Sequence, residues 1–95
     1  MAALHLLISG RVQGVAFRWS MCEAALAHGA RGWVRNRRDR RVEAVVDGTP
    51  EAIEAMLRWA WRGPSMARVD QVDTRPASGA ETAMIGDGFE PLSDA

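Results

Sequence analysis

Ninety-five residues, 47% hydrophobic and 25% charged with zero net charge, make one domain; the chain is too short for two cores and too apolar for disorder. The lone cysteine, Cys22, excludes an internal disulfide, and neither C-x-x-C nor H-E-x-x-H spacing is present to hold a metal. The opening M-A-A-L-H-L-L-I-S-G lacks a basic leader region and its apolar run cannot span a bilayer, so no membrane is expected and a reducing cytoplasm is the expected compartment.

Charge is unevenly placed. Up to Arg41 there are eight arginines against Glu23 and Asp39, and beyond it four arginines face ten acids. A basic half can attract an anionic ligand, or the two halves can simply pair across the fold. Every basic side chain is arginine, whose planar fork suits oxyanions.

Leu4 to Ser9 alternates, with Leu4, Leu6 and Ile8 on one face of a half-buried strand. Gly10 to Val15 has no helical period and reads as a loop. From Phe17 to about His28 the Ala-rich run predicts a helix with Met21, Cys22 and Ala25 inward, closed by Gly29. His28 in its last turn is expected to be solvated or to offset the helix dipole. Gly32 to Asn36 and Arg41 to Asp47 predict two strands joined by a short hairpin connection, with Val42, Ala44 and Val46 on one face and Glu43 and Asp47 on the other.

Thr49-Pro50 is a helix start, and Ile53, Met56, Leu57 and Ala60 form the apolar stripe that follows, flanked by Trp59 and Trp61. Gly63-Pro64 ends that helix. In Ala67 to Asp73, Val69 and Val72 stand three apart, so a strand here needs a bulge or must begin after Val69. The order strand, helix, strand, strand, helix, strand predicts an α+β ferredoxin-like βαββαβ sandwich over residues 1–95. Two helices would lie on one face of an antiparallel sheet, with room for a short C-terminal fifth strand at Phe89.

The chemistry concentrates in two segments. Gly10 to Arg18, G-R-V-Q-G-V-A-F-R, joins a strand to a helix start, where backbone N–H groups converge and the helix end is partly positive. Gly14 lets the backbone approach an anion, and Arg18 offers a bidentate fork to phosphate. The residues alone leave open that these glycines merely turn the chain and that Arg18 is solvated. Gly32 to Asn36, G-W-V-R-N, ends in an amide that can orient a water without titrating, or can simply favour a turn. Trp33, Trp59 and Trp61 are expected in the core or capping the surface.

These segments resemble the acylphosphatase signatures G-x-V-Q-G-V-x-F-R and G-W-V-x-N-x-x-D-G-x-V-E, the second matched by Gly32 to Glu43. W-x-x-x-G-P at Trp59 to Pro64 and A-R-V-D at Ala67 to Asp70 also fit, so the resemblance spans nearly the whole chain. It implies an acylphosphatase that binds the phosphoryl group through Arg18 and the loop of Gln13, Gly14, Val15, Ala16, Phe17 and Arg18, while Asn36 holds the attacking water. It implies neither metal nor cofactor. The expected ligands are a small acyl phosphate and, as bound anion, inorganic phosphate or sulfate, with a monomer as the working state.

Three positions depart from the family pattern. Arg40 replaces the glycine of the Asp-Gly turn, which would place a β-carbon at positive φ. His28 stands where an apolar residue is usual, and Pro91 follows Phe89 where a β-branched residue is common, acceptable only on a sheet edge. The rival reading is a non-catalytic nucleic-acid-binding or regulatory module on the same fold. The third strand, R-V-E-A-V-V-D, lacks the aromatics on which such a module stacks bases, so no nucleic-acid partner is expected.

Overall fold

Residues 3–95 are described by the computed structural model. They run in the order β1 (Leu4–Arg11), α1 (Phe17–His28), β2 (Arg31–Asn36), β3 (Val42–Asp47), α2 (Pro50–Arg62), β4 (Arg68–Pro76), α3 (Gly79–Ala83) and β5 (Phe89–Pro91). The sheet order is β4-β1-β3-β2-β5, and the first four strands are antiparallel. This is the ferredoxin-like α+β arrangement read from the hydrophobic pattern. It differs in two ways: β5 adds parallel to β2, making the sheet mixed, and a third short helix follows β4.

The period-two alternation of β1 and β3 sends Leu6, Ile8, Val42, Ala44 and Val46 to one face, each almost wholly buried. Against that face α1 places Met21 and Ala25, and α2 places Met56 and Ala60. Cys22, expected inward, is only half-buried at the margin of the α1 stripe. The Thr49 hydroxyl caps α2 by accepting from the Ala52 N–H at 3.1 Å, with Pro50 in the first turn.

The three-residue spacing of Val69 and Val72 is absorbed by a bulge. Ser9 faces Gln71 but Gly10 faces Val69, which leaves Asp70 as the extra residue of β4. Gly10 is required there, because a β-carbon would lie 2.2 Å from the Arg68 carbonyl oxygen.

The hairpin between β2 and β3 turns through Arg37 to Arg40, where the Arg40 N–H donates to the Arg37 carbonyl at 3.2 Å. Arg40 adopts φ 73°, the left-handed conformation expected if the family's turn is kept. The Asp39 carboxylate braces the turn by accepting from the Arg41 guanidinium (2.7 Å) and backbone N–H, and its pKa is pushed well below the usual carboxylate range.

On the opposite face Trp33 and Val45 are fully buried under Ala77, Ile85 and Leu92. The segment through α3 closes this face, which a base-stacking module would leave open. Ser78 and Glu81 form a reciprocal capping box at the start of α3, and the Trp33 indole N–H donates to the Glu81 carbonyl at 3.0 Å.

Beneath α3 lies a charged network. The His5 Nε2 donates to Glu43 at 2.7 Å, Arg35 donates to the other Glu43 oxygen at 2.8 Å, and Arg75 forms a fork with Glu81. Glu43 points away from the helices as the alternation requires. It is not the solvated acid that position suggests, being 4% exposed. Burial raises its pKa, but hydrogen bonds from His5 and Arg35 outweigh that and the net shift is downward.

Candidate active site

The first turn of α1 is held from below. Phe17 is 2% exposed and packs edge-on against Trp59, with ring centroids 5.2 Å apart. Such a pair contributes about 0.5–1.5 kcal/mol beyond its area burial. Trp59 is therefore a partly buried aromatic that caps the core, one of the two placements expected, and it fixes where the loop meets the helix.

Above that anchor the loop turns through two left-handed residues, Gly14 at φ 74° and Ala16 at φ 60°. Glycine adopts this conformation freely, whereas the alanine is strained and is retained at the N-cap of α1. Unlike α2 and α3, α1 has no side-chain cap and no acid in its first turn, which instead carries Arg18. Its first N–H groups and its partial positive charge are thus not offset by a capping side chain or an acid of its own first turn. A cation in that turn is locally unfavourable unless an anion joins it.

Asn36 comes from a separate element, the last position of β2. Its backbone carbonyl accepts from the Ala95 N–H at 2.9 Å. Its side chain lines one recess of about 380 Å³ together with Arg18, Gln13, Gly14, Ala16 and Phe17. Five of the six loop residues predicted to bind phosphate line this recess. Val15 instead packs its side chain against the core and could contribute only its backbone N–H.

Gln13 has a role that the sequence did not reveal. Its side-chain amide donates to the Arg37 carbonyl at 2.8 Å and the Arg41 carbonyl at 3.0 Å, tying the loop to the neck of the β2–β3 hairpin. Arg37 directly follows Asn36, so this fork sets the distance between the two halves of the site.

Arg18 lies 3.4 Å from the Asp94 carboxylate, with both side chains substantially exposed. An exposed pair of that length contributes little and can yield to a dianion. On the other side of Gln13, Arg11, Arg37, Arg38 and Arg40 line a shallow basic groove that also includes Asp94.

Away from the loop, one cluster among the described residues has metal-ligating atoms in reach of each other: His5, Glu43 and Glu81, within 4.8 Å. Its carboxylates already pair with the Arg35 and Arg75 guanidiniums, so a cation would have to displace both. A single histidine on an alternating strand carries no signal in the sequence until the strand register brings Glu43 beside it.

A strand–loop–helix turn carrying Arg18 and a neutral amide from the end of β2 thus line one recess. The family model described as Acylphosphatase matches residues 4–91. An acylphosphatase of Thermococcus kodakarensis is 55% identical over 71 residues, covering 75% of this chain and 78% of that protein. One from Thiobacillus denitrificans is 51% identical over 94 residues, 99% of this chain and 100% of the relative. The crystal structure of acylphosphatase from Bacillus subtilis superposes with a TM-score of 0.86 at 27% identity, covering 97% and 99% of the two chains. The chain belongs to the acylphosphatase family, and no helix among its described residues is long and apolar enough to cross a membrane.

Proposed function

We propose that this chain hydrolyses the carboxyl–phosphate bond of a small acyl phosphate. Arg18 and the N–H groups of the loop from Gln13 to Arg18 hold the phosphoryl group, and Asn36 orients the attacking water. The observation that carries this reading is the meeting of Asn36 and Arg18, from separate elements, in one recess with the loop.

The chemistry asks little of acids and bases. The water oxygen attacks phosphorus in line as the bond from phosphorus to the acyl oxygen breaks, giving a free carboxylate and phosphate. The water's protons pass to phosphate and solvent. Carboxylates are weak bases, with pKa values of about 4, so the leaving group departs without protonation. What remains for the protein is positioning, and stabilisation of charge on the equatorial phosphoryl oxygens. Arg18 and aligned N–H dipoles supply the second, and Asn36 supplies the first without a titration of its own. The mechanism uses no cofactor, and a monomer in the cytoplasm is the working state.

The test is a pair of variants assayed on an acyl phosphate, with inorganic phosphate as a competitive inhibitor. Arg18→Lys keeps the charge and loses the fork, so activity falls on the order of 10³-fold or more. Asn36→Ala lowers kcat by about 10²–10³-fold while the inhibition constant of phosphate changes little. A largely active Arg18→Lys would remove Arg18 from its role. Parallel loss of phosphate affinity in Asn36→Ala would make Asn36 a phosphate ligand instead. Inactivation by a chelator, reversed by a divalent cation, would overturn the metal-free step.

A further inference from the structure

Trp19 is the large aromatic next to Arg18, and it is 68% exposed. It lines the phosphoryl recess and also a separate groove of about 460 Å³ between α1 and the approach to β5. Along α1 the groove wall is Trp19, Cys22 and Leu26, positions i, i+3 and i+7 on one helical face. The opposite wall is Phe89. Pro91, two residues further on β5 and so on the same strand face, lines the phosphoryl recess. The recess and the groove therefore share Trp19 on the α1 side and adjoin along one face of β5 on the other.

We infer that this groove is the acyl subsite, and that it selects acyl phosphates with an apolar acyl group, Trp19 serving as the face on which that group lies. The inference rests on the acylphosphatase reading above. The wall is neutral: burial raises the Cys22 thiol above its ordinary value of 9.0, so it stays protonated at neutral pH. Glu23 and Asp87 line the groove with Arg31, whose guanidinium is already paired with Asp47 at 2.7 Å, so the two acids disfavour an acyl group that carries its own negative charge. The volume is within the range of small-molecule sites and accommodates a benzene-sized group. An indole face adds stacking to apolar burial for an aromatic acyl group.

The experiment compares kcat/KM for benzoyl phosphate, acetyl phosphate and succinyl phosphate in the native protein and in Trp19→Ala, Trp19→Phe and Trp61→Ala. Trp61 is a half-exposed tryptophan on α2 and serves as the control. The native protein is expected to prefer benzoyl over acetyl phosphate. Trp19→Ala lowers that ratio roughly 10-fold, as loss of an apolar pocket contact does. Trp19→Phe retains most of the ratio, and Trp61→Ala leaves it unchanged.

An unchanged ratio in Trp19→Ala would overturn the subsite while leaving the acylphosphatase reading standing. A preference for succinyl phosphate, lost in Arg38→Ala, would send the acyl group to the arginine groove and likewise overturn it. So would a concentration-dependent dimer abolished by Trp19→Ala with the ratio unmoved, since a second copy would then occupy the groove. Failure of the native protein to hydrolyse any of the three would instead refute the acylphosphatase reading itself.

Discussion

Gln13 is the residue whose replacement tests the geometry of the site most directly. Gln13→Met preserves length and removes both donors. The two carbonyls it releases keep a partner each, because Arg37 still accepts from the Arg40 N–H (3.2 Å) and Arg41 from the Arg37 N–H (2.9 Å). The cost is therefore that of two neutral hydrogen bonds, not of two orphaned acceptors: about 1–3 kcal/mol in total. For a domain of this length that lowers Tm by on the order of 10 °C.

The functional effect is separate from that loss. Without the fork, the loop and the end of β2 are no longer held at one separation, and a displacement of about 1 Å between reacting groups can cost 10²-fold. Expected is a fall in kcat of roughly 10–100-fold on an acyl phosphate, measured well below both melting temperatures. The decisive arm is a double-mutant cycle. If Gln13 acts by placing Asn36, then Gln13→Met costs almost nothing more once Asn36 is alanine. Equal losses in both backgrounds, or an unchanged kcat in the single variant, would refute the reasoning.

Two further expectations concern stability. Arg40→Gly relieves a side chain held at φ 73°, worth roughly 1–2 kcal/mol, against about 0.4–1 kcal/mol lost to a freer unfolded chain. The denaturant midpoint should rise by the equivalent of about 0–1 kcal/mol with the slope unchanged, and a clear drop would show that the turn depends on the arginine itself. Glu81 has its carboxyl pKa lowered from 4.5 to about 2, chiefly by the Arg75 fork and then by the Ser78 N–H. Because the folded value is the lower one, its contribution is complete above about pH 4.5 and is lost as pH falls toward 2; Glu43 acts in the same direction. Midpoints measured across that range should decline less steeply in Glu81→Gln than in the native protein, and identical slopes would remove the Arg75–Glu81 pair from acid stability.

The elements on the helical face of the sheet were legible because burial there is one-sided. Alternation in β1 and β3, the Thr49-Pro50 start and the Val69/Val72 irregularity each have a local physical cause, and each appears where its residues place it. That the loop and Asn36 meet in one recess was legible for a different reason, since two long motifs matched a family pattern. The reverse face was not legible. The burial of Glu43 depends on His5 and Arg35 arriving from other strands, and no local pattern reports that. The Gln13 fork is likewise a contact across 24 and 28 residues. α3 differs in having a local signal, the Ser78-x-x-Glu81 capping box. Cys22 at the margin of its stripe and the exposed Trp19 show the limit of helical periodicity: it gives a direction, and the neighbouring β5 decides what fills the space.

The bulge at Asp70 has a consequence at the boundary of the sheet. Among the described residues β4 pairs only with β1, so its outer side presents backbone groups over nine residues, a length that could template a strand from another molecule. Asp70 breaks the regularity of that edge, Arg68, Asp73 and Arg75 charge it, and Pro76 ends it without a donor. The opposite edge is only three residues long and holds Pro91. Solubility at high concentration thus rests on a few exposed side chains that add little to folding. Neutralising Asp70 and Asp73 together should appear first as light scattering from chains that are still folded, with melting temperature nearly unmoved, because the native fold and its resistance to fibre growth are set by different residues of the same strand.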